Sequence, residues 1–156
     1  MLSVLIPPEK EFHFKNLCLD LNGTIAFNRN VIDSVPPMLD KLKELVDIYV
    51  LTADTFSNAA DILKDLPVKI YYTDERGQSE SKARFIAELG AENTIAVGNG
   101  YNDRLMLAKA GLSIAVIGRE GACFETISSA DIVVTDIADA LGLLLNPGRI
   151  TATLRD

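Results

Sequence analysis

Short apolar runs of strand length alternate with stretches of helical periodicity along most of this chain. Ile48–Leu51, Val68–Tyr72, Thr94–Val97, Ile114–Ile117 and Ile132–Val134 are the strand-like runs. Between them Met38, Leu39, Leu42, Leu45 and Val46 recur at helical spacing, then Ala59, Ile62, Leu63 and Leu66, then Ala83, Phe85, Ile86 and Leu89. Leu105, Met106 and Ala108 to Ala110 give a further helix, and Ile137–Leu145 a last one, stopped by Asn146-Pro147-Gly148. A strand with one face in water alternates apolar and polar residues. These do not, so both of their faces must be covered. The pattern predicts an α/β protein: three α/β/α layers, Rossmann-like, around a mostly parallel sheet.

The start of the chain adds smaller elements. Ser3–Ile6 and Phe12–Leu21, separated by Pro7-Pro8-Glu9-Lys10, read as two strands of an N-terminal β-hairpin. Ile25–Phe27 and Val31–Ile32 around Asn28-Arg29-Asn30 read as a second, very small hairpin. Ser34 and Pro36 mark the start of the first helix. No repeat, low-complexity tract or linker interrupts the pattern, and 156 residues is the length of one domain. A single domain over 1–156 is expected.

Composition removes several classes of function. Fifteen Lys and Arg against 22 Asp and Glu leave a net charge of -7. A phosphate-backbone binder carries the opposite sign, so no nucleic-acid partner is expected, and no anionic membrane surface either. The longest apolar stretches, Leu112–Gly118 and Ala140–Leu145, fall far short of the ~20 residues of a membrane span. The opening MLSVLIPPEKEF shows neither the basic nor the apolar region of a secretory signal. Cys18 and Cys123 stand at no metal-ligand spacing and read as two buried free thiols, and a lone His13 disfavours zinc. The expected setting is a reducing cytoplasm.

In a sheet of this kind ligands bind beyond the carboxyl ends of the strands. The residues there are Asp20 to Thr24, Thr52-Ala53-Asp54, Thr73-Asp74 and Gly98 to Asp103. Asp20 follows Leu17-Cys18-Leu19, where a carboxylate needs a metal or cation partner. Otherwise it is a local cap of the Asn22-Gly23 turn. Thr52 is either a strand residue or a holder of a phosphoryl oxygen, and Asp54 reads as the N-cap of a helix beginning near Phe56. Lys82 opens a helix, where a cation opposes the helix dipole. It is either solvated or kept there for a task. Gly98-Asn99-Gly100-Tyr101-Asn102-Asp103 offers oxygen ligands beside backbone that can approach a ligand closely, or simply caps the next helix. It is no dinucleotide fingerprint, because Asp103 occupies the third glycine position.

Acid, hydroxyl, lysine and acid thus recur in order, about one strand–helix unit apart. The set suits phosphoryl transfer: Asp20 as nucleophile, with Mg²⁺ and Lys82 neutralising the phosphoryl oxygens. Asp20-Leu21-Asn22-Gly23-Thr24, Thr52, Lys82 and the 98–103 loop resemble the four motifs of the haloacid dehalogenase superfamily. Within it the chain is most similar to the phosphorylation domain of P-type ATPases. That family's D-K-T-G-T, T-G-D and G-D-G-x-N-D stand here as D-L-N-G-T, T-A-D and G-N-G-Y-N-D. Ser113 to Val116, Glu120-Gly121-Ala122 and Ala130 to Val134 continue the likeness, which spans roughly Leu17 to Leu145.

The resemblance implies Asp20 as phosphoryl acceptor, with the phosphate held by Thr52, Ala53 and Lys82. It implies Mg²⁺ on Asp20, the backbone carbonyl of Asn22 and a last-loop side chain, Asn99 or Asp103. The 27 residues between Thr24 and Thr52 leave no room for a nucleotide-binding domain or a large cap. The chain is therefore not a pump, and its site is expected to be open to a small phosphorylated substrate or a bulky one, with Phe27 and Arg29 as a flap. Two residues depart from the family pattern. Asn22 stands where the phosphatases carry an acid, and loss of general acid–base help slows turnover by about 10²–10⁴-fold. Asn99 replaces an acidic metal ligand and removes one negative charge. The expectation is a Mg²⁺-dependent phosphohydrolase of the capless type, acting through an aspartyl phosphate. The rival is a catalytically weakened phosphate- or Mg²⁺-dependent binding or regulatory module. A response-regulator receiver fits less well, since its acceptor lies on a middle strand.

Overall fold

The computed structural model describes residues 1–8, 10–54 and 57–156. The chain opens with the expected hairpin, β1 (Leu2–Ile6) and β2 (Lys10–Phe14), antiparallel from Leu2 opposite Phe14 to Ile6 opposite Lys10. Glu9, of the expected turn, lies outside the described residues. Phe12–Leu21 is not one strand but two. The break falls at Lys15, and the chain then enters β3 (Asn16–Asp20) in a different sheet. The Lys15 N–H donates to Asn93 O at 2.9 Å and its carbonyl accepts from Asp47 N–H at 2.8 Å. Its main chain is therefore already bonded to the approaches of the two strands that will flank β3.

A small hairpin follows, β4 (Ala26–Phe27) with β5 (Asn30–Val31). Asn28 and Arg29 take φ of 48° and 64°, the paired left-handed conformations of a two-residue turn. The helices are α1 (Val35–Leu42), α2 (Ser57–Leu63), α3 (Gln78–Leu89), α4 (Arg104–Lys109), α5 (Phe124–Ser128), α6 (Ile137–Leu145) and α7 (Pro147–Leu154). Whether a helix begins near Phe56, capped by Asp54, lies outside the described residues. The remaining strands are β6 (Asp47–Thr52), β7 (Lys69–Tyr72), β8 (Thr94–Gly98), β9 (Leu112–Val116) and β10 (Ile132–Val134).

These five join β3 in a six-stranded sheet of order β10-β9-β8-β3-β6-β7, every pair parallel. The sheet is covered on both faces, as the unbroken apolar runs require. Leu17 and Leu19 of β3 join the larger core with Val35, Leu39 and Leu42 of α1 and Ile137, Leu141 and Leu144 of α6. Cys18, between them, points into the second core with Leu51, Ile86 of α3 and Met106 and Leu107 of α4.

Strand order fixes where a site can form. From β3 the chain winds outward through β6 to β7, then crosses back through α3 to β8 on the other side of β3. Crossovers leave β3 in opposite directions, and the crevice this opens at the carboxyl edge is where α/β sheets bind ligands. Register puts Asp20 beside Leu51, one residue short of Thr52, and Leu19 beside Val97, one short of Gly98.

Three further features differ from expectation. Asn146-Pro147-Gly148 ends α6 but also starts α7, because proline at the first position of a helix lacks only an N–H that would be unbonded anyway. The α5 helix, of five residues, is too short to show a period. Cys18 is buried, which raises its thiol pKa, whereas Cys123 is only half-buried; both are free. Among the described residues no helix is long and apolar enough to cross a membrane.

Candidate active site

Asp20, the last residue of β3, stands where the strand gives way to a tight loop. Leu21 O accepts from the N–H groups of Ile25 and Ala26 at 3.1 and 3.0 Å, and Gly23 N–H donates to Ala26 O at 2.8 Å. Gly23 takes φ 82°. A Cβ there would lie 2.5 Å from Glu120 Oε2 and 2.6 Å from Asn99 Nδ2, so only glycine lets the first and last loops approach so closely.

Lys82 is the fifth residue of α3 and is wholly buried. Its ammonium donates to Asp20 Oδ1 at 2.7 Å and to Asp103 Oδ1 at 2.6 Å. Burial works against its charge, but the carboxylates of Asp20 and Asp103 outweigh this and raise its pKa. A solvated lysine is excluded; this one is an internal counter-ion.

Asp103, also wholly buried, ends the short helical turn Tyr101–Asp103. Its Oδ2 accepts from the N–H groups of Asn99 and Gly100, each at 3.0 Å. Both its oxygens are thus engaged, one by Lys82 and one by the loop it shapes. Gly98 must be small for this to happen, since a Cβ there would lie 2.6 Å from Asp103 Cγ. Burial, and secondarily the charge of Asp20, push the Asp103 carboxyl up to about 6 while Lys82 pulls it down.

The opposite side of Asp20 carries a different arrangement. The Thr24 hydroxyl lies 3.2 Å from both Asp20 Oδ2 and Asn99 Oδ1, so one proton faces two acceptor oxygens. Converging hard oxygens with a spare lone pair are what a magnesium-sized cation uses. No three side chains drawn from His, Cys, Asp and Glu come together among the described residues. A cation held here would keep amide, main-chain and water ligands.

Asp20, Asn22, Thr52, Ala53, Asn99 and Gly100 line one cavity of about 200 Å³. Asp54, Gln78, Asn102 and Glu120 complete it. Thr52 ends β6, and its hydroxyl accepts from Asp54 N–H at 3.0 Å. Lys82 and Asp103 do not line the cavity and meet it through Asp20 and the loop. Gln78 accepts a 2.7 Å hydrogen bond from Asn102 Nδ2, which ties the start of α3 to the last loop. Nothing in the local sequence marks Gln78 as part of a site; the fold brings it there.

The expected flap sits elsewhere. Phe27 lines a neighbouring groove of about 720 Å³ between the small hairpin and the residues after β9, and Arg29 lines neither space. There the Arg119 guanidinium lies 5.3 Å from the centre of the Phe27 ring. The contact joins the hairpin to the loop after β9.

A parallel sheet with acid, hydroxyl, lysine and acid gathered at one carboxyl edge defines a hydrolase of the haloacid dehalogenase type. The family model described as haloacid dehalogenase-like hydrolase matches residues 4–111, and the chain belongs to that family. An uncharacterized protein of Methanocaldococcus jannaschii, MJ0073, is 55% identical over 80 residues, covering 49% of this chain and 86% of its own. Among solved structures, 3-deoxy-D-manno-octulosonate 8-phosphate phosphatase from Moraxella catarrhalis, in complex with magnesium, phosphate and KDO, is similar in fold. It is 16% identical with a TM-score of 0.72, covering 90% of each chain. The catalytic domain of the CPx-ATPase CopB-B is 31% identical with a TM-score of 0.58, over 69% of this chain and 43% of that one.

Proposed function

We propose that the protein is a Mg²⁺-dependent phosphohydrolase acting through an aspartyl phosphate on Asp20. The observation that carries this reading is the setting of Asp20. Its carboxylate is fixed by Lys82 on one oxygen and meets on the other the Thr24 hydroxyl, which also faces Asn99 Oδ1, at the edge of a cavity that also holds Thr52. In the first step an Asp20 oxygen bonds to phosphorus as the bond to the leaving oxygen breaks. In the second, water attacks the acyl phosphate, inorganic phosphate departs and the carboxylate is regenerated.

The Thr52 hydroxyl and the backbone at Ala53 receive phosphoryl oxygens, and Lys82 holds the nucleophile in line while countering its charge. Asp20, Asn99 and the main-chain carbonyl of Asn22 would hold Mg²⁺, which when bound neutralises charge on the phosphoryl group. Asp103, with both oxygens engaged, orients Lys82 and the loop. Asn22 exchanges no proton, so protons for the leaving group and from the water come from solvent, and turnover is slow. The Moraxella phosphatase, with magnesium and phosphate on the same fold, supports this choice of metal and ligand. With only the small hairpin between Thr24 and α1, the site takes bulky as well as small phosphorylated substrates. Two free thiols support a cytoplasmic setting.

The test is phosphate release from small aryl and acyl phosphates with Mg²⁺, using Asp20→Asn as control. Release is expected from the wild type alone, and equal activity in the variant would remove Asp20 as nucleophile. Asn22 also favours a second reading, a binding module without turnover. Intact mass after treatment with an acyl phosphate separates the two, because only the enzyme gains a labile phosphate adduct on Asp20.

A further inference from the structure

Replacement of an acidic metal ligand by Asn99 leaves a charge deficit at the site. The buried cluster of Asp20, Asp103 and Lys82 carries one net negative charge. A divalent cation is best matched by two. Asp54 and Glu120 are the further carboxylates that line the same cavity, and of the two it is Glu120 that meets Asn99 beside Gly23. The resemblance to P-type ATPases touches this residue but gives it no role.

The backbone that carries Glu120, whose side chain is exposed, is held by its loop. Residues 118–121 form a tight turn, closed by Gly121 N–H to Gly118 O at 3.0 Å. That turn is fastened to the last loop twice, through Asn99 Nδ2 to Gly121 O at 3.1 Å and Cys123 N–H to Asn99 O at 2.9 Å. Both fasteners belong to Asn99, the residue whose charge is missing. Glu120 Oε2 and Asn99 Nδ2 crowd the same point beside Gly23, at 2.5 and 2.6 Å from where a Cβ would sit. Among the described residues Glu120 makes no hydrogen bond or ion pair, and the cations of the site and of its own loop are engaged elsewhere. Lys82 is committed to Asp20 and Asp103, and Arg119 is turned onto Phe27.

We propose that Glu120 is a metal-positioning residue: through a bound water, its carboxylate holds the Mg²⁺ carried by Asp20, Asn99 and the Asn22 carbonyl. This rests on the metal site proposed above. The contact runs through water because among the described residues no three carboxylates converge on one point, and because Mg²⁺ retains several of its waters when bound. Glu120 thereby returns the charge that Asn99 lacks, from a loop that the same asparagine holds in place.

Calorimetric titration of the metal-free protein with Mg²⁺, without substrate, tests this independently of turnover. Glu120→Gln is expected to weaken binding by about 10–100-fold, the usual effect of removing an outer-sphere partner. Adding Asn99→Asp to that variant is expected to restore the affinity, since it returns the charge to the inner position. An affinity unchanged by Glu120→Gln overturns the proposal, as does a loss that Asn99→Asp fails to reverse. Asp20→Asn separates this failure from that of the site itself. If Asp20→Asn abolishes binding while Glu120→Gln does not alter it, only the role of Glu120 falls. If the wild type binds no Mg²⁺, or Asp20→Asn binds it as well as the wild type does, the metal site and the role of Glu120 fall together.

Discussion

Lys82 has no contact with solvent, yet Asp20 and Asp103 at 2.7 and 2.6 Å keep it charged. Removing one member of such a group leaves the others buried without compensation, which costs about 3–5 kcal/mol. Lys82→Met, matched in length and apolar, is therefore expected to lower unfolding free energy by about that amount in urea titrations. The double variant Lys82→Met, Asp103→Asn is expected to recover part of the loss, because only Asp20 then remains unpaired, at the edge of a cavity where water reaches it. A double variant no more stable than the single one would mean that Asp103 is not destabilised by losing its partner. The identity of Lys82 as a site residue was legible in the sequence from its order among Asp20, Thr52 and Asp103. Its burial was not. Ser79, Glu80, Ser81 and Lys82 make a polar start to α3, and only the return of α3 across β3 puts Lys82 inside the molecule.

At the level of elements, the alternation of apolar runs and helical periods gave the strands of the large sheet and most helices, because a strand covered on both faces leaves an unambiguous mark. What escaped were elements whose boundaries are set by contacts far along the chain. Nothing between Phe12 and Leu21 signals a change of sheet. Lys15 makes the change because its N–H and carbonyl bond to Asn93 and Asp47. Similarly, Pro147 ends one helix and begins another, and α7 exists by packing against the N-terminal hairpin. The Thr151 hydroxyl donates to Leu5 O at 2.6 Å, and Ile150 is wholly buried in the larger core. Truncating such a side chain typically costs about 2–5 kcal/mol, so Ile150→Ala should lower the urea midpoint accordingly without altering Mg²⁺ affinity. A variant with wild-type stability would show that α7 is a passive appendage. Phe27, expected as a flap, lines the neighbouring groove instead, where it meets Arg119 from the loop after β9.

Over the whole molecule, the site is a product of strand order. Asp20, Thr52, Lys82 and Asp103 lie far apart in sequence, and they converge because β3 sits between β6 and β8 while α3 crosses back over it. The sequence carries the members and their order; the contacts follow from the crossover. This arrangement ties the proposed metal binding to global stability. The cluster exists only when the sheet is assembled, so the unfolded chain offers Mg²⁺ no comparable site. A ligand that binds only the folded state stabilises it, by about 2.7 kcal/mol at one hundred times its Kd. For a chain of this size each kcal/mol moves Tm by roughly 2–4 °C. Wild-type Tm is therefore expected to climb with Mg²⁺ and to fall back on chelation, while Asp20→Asn stays flat. The comparison must be made at constant ionic strength, since a net charge of -7 attracts any cation and screening alone adds some stability. An equal rise in both proteins would identify the effect as screening, and the strand-end cluster would then not be where the metal binds.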